Sequence, residues 1–557
     1  MLRLLTPALL VGLAACAPTA QDSAPIAAFS APALSAEALV GHVEVLASDE
    51  FEGRAPATRG EELTVDYLQR AFEAAGLQPG ARGEDGAASW VQRVPLISST
   101  VQDAPALTIS GGDGAREYAF GPQQVVWSRR VVPQISVENA ELVFVGYGVV
   151  APEQNWNDYA GVDMRGKIAV MFINDPDFGT GADGGFGGQA MTYYGRWTYK
   201  YEEAARQGAA GAIIIHDTAG ASYPWAVVES SNTGTQFNVV TEDGGMSRTA
   251  FEGWVTEDVG RELMQRAGLD LAEMRAQAQR QGFRPVSMGD LRGSVAFNIA
   301  TEETSSNNVV AVLPGTERPD ETILYTAHWD HLGRCTPIDG DDICNGALDN
   351  ATGTAALIEL ARRFAEDGAG ERSVAFIALT AEEQGLLGAL YYSQNPLFEP
   401  GQTVAGINMD GINNMGRTRD IEVVGFGKSE MDDMIVAAAE AQGRRVAPDS
   451  NPEAGYFYRS DHLHLARIGI PVLYTSNGID MLEGGEERGR ALNEDYVANR
   501  YHKPTDELTP DWDMTGGAED VALYYAIGRE LADGERWPEW RPDAEFRAAR
   551  VASRPSR

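Results

Sequence analysis

Two histidines and an aspartate occupy four positions in "TAHWDHLG", residues 326–333, directly after the apolar run "ILY". Carboxylate and imidazole side chains recur in four later segments: Asp349 in "NGALDNATG", Glu382 and Glu383 in "LTAEEQG", Asp410 in "NMDG" and His502 in "NRYHKPTDE". Neutral imidazoles and carboxylates are ligands for zinc, and two such sets that share one carboxylate form a two-metal site. Hydrolysis would also need a carboxylate that lies beside the metals without binding them and moves the proton of the attacking water. Each residue alone is more often a helix cap, a loop hydrogen-bonding group or a surface charge, so the prediction depends on all five segments together.

These segments follow predicted strands. From about residue 300 the chain alternates strands such as "ETILYTAH", "RSVAFIALT", "VAGINMDGI" and "GIPVLYT" with helices such as "GTAALIELARRFAE" and "EQGLLGALYYSQ". This alternation predicts an α/β fold in which a mostly parallel mixed sheet is flanked by helices. Because ligands of such sheets bind outside the carboxyl ends of the strands, the polar residues above are expected to share one rim.

Six segments in this order resemble a known enzyme family: "AHWDHLG", "GALDNATGTA", "TAEEQGLLGA", "INMDGI", "YRSDHLHLARIGIP" and "YHKPTDE". They are similar to the di-zinc exopeptidases typified by bacterial leucyl aminopeptidase, which have glutamate carboxypeptidase as a relative. The resemblance covers about residues 296–530, and "LASDEFEGRAPATRG" near the start also looks like the N-terminal part of that family.

The resemblance implies a role for each matching residue. His328 would bind one zinc ion and His502 the other, with Asp349 bridging both. Glu383 and Asp410 would complete the two ligand sets. Glu382 would act as general base and then as general acid, while the two ions polarise the scissile carbonyl. Asp330 would be the supporting carboxylate that fixes the tautomer and orientation of His328, and His331 is expected to be a structural hydrogen-bonding residue.

Three further features surround this set. Tyr456 or Tyr458 is the candidate donor to the developing oxyanion, with aromatic packing as the alternative. Many relatives have Asp-Asp where this chain has Asp349-Asn350, and little loss is expected because asparagine fits the same turn. Cys335 and Cys344 lie between two ligands and form a candidate disulfide that would pin the connecting loop.

The resemblance also implies a domain organisation. Residues 36–125 would form the N-terminal part of the peptidase domain and residues 296–545 its metal-binding part. Residues 126–295, with "GYGVVAPEQNWNDYAGVDMRGKIAVMF" and "YKYEEAARQGAAGAIIIHD", look like the protease-associated (PA) domain that many relatives carry, a smaller α/β insert beside the cleft.

The N-terminus has the layout of an export signal: Arg3, an apolar stretch, and small residues before Cys16. Residues 1–16 therefore resemble a bacterial lipoprotein signal with lipid on Cys16, or else a plain secretory signal, and residues 17–35 a flexible tether. Either alternative predicts an exported protein of the periplasm or cell envelope. A lipid anchor would be its only membrane contact, because no later apolar stretch is long enough to span a bilayer.

Composition narrows the function classes. With 557 residues, 43% of them hydrophobic, the chain can bury large cores and is expected to form two or more domains. Its 44 basic and 81 acidic residues, a net charge of −37, exclude a general nucleic-acid binder. The sequence leaves the oligomeric state open.

The leading interpretation is a zinc exopeptidase with two zinc ions per chain that acts on peptides or proteins, as an aminopeptidase. One alternative is a carboxypeptidase of the glutamate carboxypeptidase type, for which "GRRV" or "NMGRTR" would have to supply a basic pocket. Others are a glutaminyl-cyclase-like transferase with a single zinc, and an inactive binding homologue. The last is disfavoured because all five ligands and Glu382 are present. The sequence has neither H-E-x-x-H nor G-x-S-x-G, which disfavours a thermolysin-like enzyme and a serine hydrolase.

Overall fold

The structure is a computed structural model that describes residues 34–181 and 184–554. The predicted signal, its Cys16 and nearly all of the predicted tether lie outside these residues. No helix in the described ranges is both long and apolar enough to cross a membrane.

The helices of the described residues are α1 (Ala36–Leu46), α2 (Arg59–Ala74), α3 (Trp197–Arg206), α4 (Thr218–Ala221), α5 (Trp225–Asn232), α6 (Glu257–Arg266), α7 (Leu271–Ala278), α8 (Thr352–Asp367), α9 (Leu387–Gln394), α10 (Met431–Ala441), α11 (His462–Arg467), α12 (Gly485–Asn499), α13 (Thr515–Asp533) and α14 (Arg547–Ser553).

The strands are β1 (Gln78–Pro79), β2 (Ala81–Arg82), β3 (Ala88–Ser89), β4 (Val91–Val101), β5 (Leu107–Gly111), β6 (Gly114–Tyr118), β7 (Gln124–Trp127), β8 (Gln134–Phe144), β9 (Val150–Ala151), β10 (Trp156–Asn157), β11 (Ile168–Phe172), β12 (Gly211–Ile215), β13 (Gln236–Val239), β14 (Phe251–Val255), β15 (Val286–Leu313), β16 (Arg318–His328), β17 (Gly333–Ile338), β18 (Asp341–Cys344), β19 (Arg372–Leu379), β20 (Thr403–Asn408), β21 (Asp420–Val423), β22 (Arg445–Pro448) and β23 (Val472–Ser476).

A mixed sheet, called the C-terminal sheet because most of its strands follow β15, has the order β13-β4-β15-β19-β16-β20-β23-β21-β22. Its centre, β19-β16-β20-β23, is parallel, and antiparallel strands β15 and β21 flank it. Alternate residues of β16 and β19 enter two different cores: Tyr325 and Phe376 pack on the side of α1, α8 and α13, whereas Leu324 and Ile377 pack on the side of α9 and α11. A sheet with two covered faces needs strands that are apolar almost throughout, as these are. The predicted α/β class, a mixed sheet flanked by helices, is confirmed.

A second sheet is formed by strands in the part of the chain that runs from β5 to the first half of β15. Strands β8, β11, β12 and β14 are parallel, and β7 closes one edge antiparallel to β14. This sheet also separates two cores, with Phe172 on one face and Met171 on the other. The region therefore has two apolar cores of its own in addition to those of the C-terminal sheet.

Strand β15 joins the two sheets, because it pairs with β8 over its first half and with β4 and β19 over its second. The predicted domain boundary at 295/296 falls inside this strand, and the boundary at 125/126 falls inside β7. The second region's cores begin already at Leu107 and extend to Ile299. The sequence did not reveal that β15 belongs to both sheets, because a strand that continues from one sheet into another has no break in its apolar alternation.

Candidate active site

The predicted ligands converge at the carboxyl edge of the parallel strands. His328 is the last residue of β16, Glu382 and Glu383 follow β19, and Asp410 follows β20. Asp349 lies in the turn before α8, and His502 follows α12. Five segments that are distant in sequence thus reach one rim, because parallel neighbours end at the same edge of a sheet.

The first cluster contains His328, Asp349 and Asp410. Nε2 of His328 lies 3.3 Å from Oδ1 of Asp349 and 3.2 Å from Oδ1 of Asp410. The three side chains each offer a ligand atom, all within 4.8 Å of one another. His328 is 1% exposed, so its ring is held in place by the fold.

The second cluster is built around Asp349 and Glu383. Nε2 of His502 lies 3.3 Å from Oδ2 of Asp349 and 3.1 Å from Oε2 of Glu383. Asp349 therefore faces both clusters, one carboxylate oxygen toward each histidine. Although burial opposes the shift, hydrogen bonds from His328 and His502 hold the pKa of Asp349 well below its usual range.

His331 also belongs to the second cluster. Its Nδ1 lies 2.6 Å from Oε1 of Glu383, and one of its ring nitrogens lies within 4.8 Å of carboxylate oxygens of Asp349 and Glu383. The ring is fully buried, whereas the side chain of His502 is about a third exposed at 36%. His331 therefore contacts an oxygen of the predicted ligand Glu383, and the fold places both His331 and His502 at the second cluster.

Asp330 is arranged differently from the prediction. Nδ1 of His328 lies 3.1 Å from the backbone carbonyl oxygen of Asp330 but 3.8 Å from its carboxylate. The carboxylate instead accepts the backbone N–H groups of Glu382, at 3.0 Å, and Glu383, at 3.4 Å. The side chain of Asp330 therefore tethers the loop that carries both glutamates, and its main chain orients His328.

Glu382 has a raised pKa, as expected of a group that transfers protons. Burial raises its pKa well above the usual range; His328 opposes the shift, and the carboxylates of Asp410, Glu383 and Asp461 add to it. Desolvation and like charges both favour the protonated form of a carboxyl group. Within the described residues, the two candidate metal clusters do not include Glu382.

Two residues that support the site were not singled out from the sequence, Arg54 and Asp506. Arg54, fully buried, donates to the carbonyl oxygens of Leu46, Trp329, Asn345 and Gly346 at 2.6–2.9 Å. Asp506 accepts the backbone N–H groups of Leu348 and Asp349. Both residues could have been found from the sequence, because Arg54 in "FEGRAP" and Asp506 in "KPTDE" lie inside segments that resemble the exopeptidase family.

Asn350 connects three ligand-bearing segments. Its Nδ2 donates to the carbonyl oxygens of His328 and Met409, and its Oδ1 accepts N–H groups of Gly353 and Gly411. An ionised aspartate could accept but could not donate to either carbonyl. Asparagine therefore does more than fit the turn, because its amide satisfies both kinds of partner.

The two tyrosines proposed as oxyanion donors are placed differently from each other. Tyr458 is buried, and its hydroxyl contacts Lys428 Nζ at 2.8 Å and the Glu545 carboxylate. Tyr456 is 43% exposed, with the guanidinium of Arg459 over its ring. The Tyr458 hydroxyl is thus engaged away from the clusters, which makes Tyr458 the weaker candidate of the pair.

Cys335 and Cys344 are joined as a disulfide across the β17–β18 hairpin, between His331 and Asp349. The hairpin lies close against the turn that contains Arg54. A Cβ atom at Gly53, whose φ is +66°, would lie 2.4 Å from the carbonyl oxygen of Cys344, so this position requires glycine.

Comparisons with known proteins agree with this geometry. The model of "Peptidase family M28" matches residues 308–526, which contain all five predicted ligands. A "Probable zinc metalloprotease" of Pyrenophora teres f. teres (strain 0-1) is 40% identical over 106 residues, covering 19% of this chain and 22% of the relative. "Aminopeptidase YwaD" of Bacillus subtilis (strain 168) is 24% identical over 238 residues, covering 41% and 46%. The chain thus spans less than half the length of these curated relatives.

Among solved structures, the aminopeptidase from Aneurinibacillus sp. strain AM-1 superimposes with a TM-score of 0.50 at 19% identity, over 91% of this chain and 96% of that one. At this identity the similarity concerns the fold, which both proteins share over nearly their full lengths.

Proposed function

We propose that this protein, whose residues 308–526 match the model of peptidase family M28, is a zinc-dependent exopeptidase that acts as an aminopeptidase on peptides or proteins. One observation carries the proposal: two clusters of histidine and carboxylate share Asp349, and Glu382 lies beside them outside either cluster.

The residues fit zinc by donor type, since imidazole nitrogen and carboxylate oxygen are its ligands in catalytic sites. His328 and Asp410 would hold one ion, and His502 and Glu383 a second, with Asp349 between them. Bound there, zinc supplies Lewis acidity that polarises a carbonyl and lowers the pKa of water.

The chain's own residues would handle the proton and the geometry. Glu382 accepts a proton from the water that attacks the scissile carbonyl. It then delivers that proton to the amine nitrogen as the C–N bond breaks, which returns the Glu382 carboxylate to its ionised state. Asp330 holds the Glu382 backbone at the rim, and Asn350 fixes the turn that presents Asp349.

The test combines metal content with a substrate panel on protein that lacks residues 1–16. Near two zinc ions per chain, and cleavage of aminoacyl chromophores with a free but not an acetylated amino group, are expected. One zinc ion or none, with no cleavage of either set, would favour the cyclase-like or binding alternatives. Two zinc ions without dependence on the free amine would favour the carboxypeptidase.

The arginines named above for the carboxypeptidase alternative have acidic partners within the chain. The arginines of "NMGRTR" and "GRRV" already have acidic partners: Arg417 pairs with Glu519, Arg419 and Arg445 with Asp480, and Arg444 with Asp520. They are therefore neutralised within the chain rather than gathered into a basic pocket.

We also propose export and lipid anchoring at Cys16, which the N-terminal sequence supports, and a PA-type domain in the region that contains the second sheet. Cys16→Ala should move the protein from the membrane fraction to the soluble fraction of the envelope. Retention of that variant in the membrane fraction would contradict the anchor.

A further inference from the structure

Two arginines meet where the second region contacts the C-terminal half. Arg196 directly precedes α3, and Arg459 follows Tyr458 ahead of α11. Nε of Arg196, and both Nε and Nη2 of Arg459, are buried and have no hydrogen-bond partner among the described residues. We call this junction the arginine seam, defined by Arg196 and Arg459.

Contacts on either side hold the seam together. The backbone N–H of Met191 donates to the carbonyl oxygen of Pro452 at 3.0 Å, and Oγ of Ser222 donates to that of Glu453 at 3.0 Å. Farther along, Arg467 pairs with Glu202 at 2.9 Å. The segments that carry the two arginines are therefore docked against each other, and neither guanidinium sits on a free loop.

Aromatic rings line the seam. The guanidinium carbon of Arg459 lies 5.3 Å from the ring centre of Tyr456 and 5.8 Å from that of Tyr223. Burial, and after it the nearby cation of Arg459, lowers the pKa of Arg196 from 12.5 to about 9. Two like charges are thus held near each other in a partly desolvated place.

Such an arrangement is costly unless an anion joins it, because buried charges without a partner lose their hydration and gain nothing in return. The chain has 81 acidic residues for 44 basic ones, and the arginines of "NMGRTR" and "GRRV" do find acids. Among the described residues, no hydrogen bond or ion pair joins either arginine of the seam to an acidic side chain, and ligand sites are common where two domains meet.

The seam is linked to the candidate active site through the chain itself. Arg459 is followed by Ser460, whose Oγ accepts from Nδ2 of Asn408 at 2.8 Å, at the end of β20. Next comes Asp461, fully buried, whose charge acts on Glu382. Arg459 therefore belongs to the same segment that supports the catalytic rim, and Arg196 faces it from the second region.

We propose that Arg196 and Arg459 bind a carboxylate of the peptide substrate and so select peptides that carry one near the cleaved bond. This inference rests on the proposed peptidase function. A guanidinium offers a planar fork of N–H donors that matches a carboxylate, and the bonds formed are charge-assisted. The carboxylate could come from the C-terminus of a short peptide or from an Asp or Glu side chain.

The test measures binding rather than turnover. In zinc-loaded protein with Glu382→Gln, calorimetry gives the dissociation constants of Leu-Ala and Leu-Ala-Ala with free or amidated C-termini, and of Leu-Glu-amide against Leu-Gln-amide. The acid member of at least one pair should bind about tenfold tighter or better, since charge-assisted bonds are replaced by neutral ones. The pair that shows the preference identifies the source of the carboxylate.

Arg459→Gln and Arg196→Gln should each reduce that preference to about threefold or less. Arg165→Gln, on a side chain 82% exposed in the same region, is the matched control and should keep it. If the glutamine variants do not fold, Arg459→Lys and Arg196→Lys retain the charge without the fork and should still weaken the preference.

Two results would overturn the inference: no preference for the acid in any pair, or a preference that survives both arginine substitutions. Failure of the proposed function is separately visible, because zinc-loaded wild-type protein would then leave leucine p-nitroanilide, which has no carboxylate, uncleaved.

Discussion

Arg54 offers the sharpest quantitative prediction, because one side chain joins three segments of the candidate site. It donates four hydrogen bonds, to the carbonyl oxygens of Leu46, Trp329, Asn345 and Gly346. A hydrogen bond from a charged donor is worth about 1.5 kcal/mol or more, so the four contribute roughly 6 kcal/mol. Against this, burial, opposed in part by carboxylates such as that of Asp506, lowers the pKa of Arg54 from 12.5 to about 10, a net penalty on the charged form of roughly 3 kcal/mol.

Arg54→Met removes both the bonds and the charge, and the expected net loss in free energy of unfolding is about 3 kcal/mol. Arg54→Lys keeps the charge but has three donors for four carbonyl oxygens, and should lose less. Arg59→Met, on an exposed residue five positions later, is the matched control and should change little.

The assay is guanidinium-induced unfolding followed by tryptophan fluorescence. Hydrogen exchange of peptides that cover residues 326–349 would show whether the loss is local to the site. Faster exchange there, together with weaker zinc retention, is expected for Arg54→Met alone. If Arg54→Met and Arg59→Met unfold at the same midpoint, the four bonds do not stabilise the site and the reasoning fails.

Three other predictions concern the clusters and the buried histidines of α11. Glu382→Gln should retain bound zinc and lose turnover, and an active variant would remove Glu382 from proton transfer. Asp349→Ala should lower zinc content well below wild type, whereas exposed Asp66→Ala should not; unchanged stoichiometry would refute bridging by Asp349. Burial lowers the pKa of His462 and of His464 to about 3, so both rings stay neutral in the folded protein while the unfolded chain takes up protons below about pH 6.5. Stability should therefore fall as pH drops from about 6.5 toward 3, by roughly 2 kcal/mol per ring at pH 5. Urea unfolding at pH 7 and pH 5 should show His464→Gln to be less acid-sensitive by about that amount, and an equal pH dependence would contradict it.

The convergence of the predicted ligands could be foreseen from the sequence because it depends on topology more than on packing. His328, Glu383 and Asp410 each follow a strand of one parallel set, and parallel strands end at one edge. The order of the motifs predicted the two remaining ligands, Asp349 and His502, which do not follow strands of this set.

Details within a few ångströms of the ligands were not predictable in this way. The carboxylate of Asp330 binds backbone N–H groups of the Glu382 loop, and the Tyr458 hydroxyl is held by Lys428. Both contacts depend on the direction of the side chain, because a carboxylate and a phenol can each form hydrogen bonds with several kinds of group. Spacing along the chain does not determine which partner is met.

The sequence by itself determined the α/β class, the rim on which chemistry would occur and the residue types available there, since these depend on periodicity and motif order. Only the tertiary structure decided which groups support them: Arg54 from the opening turn, His331 on Glu383, and the arginine seam. These contacts join segments up to hundreds of residues apart. Their geometry is set by how two sheets share β15 and pack, and a linear pattern does not record that.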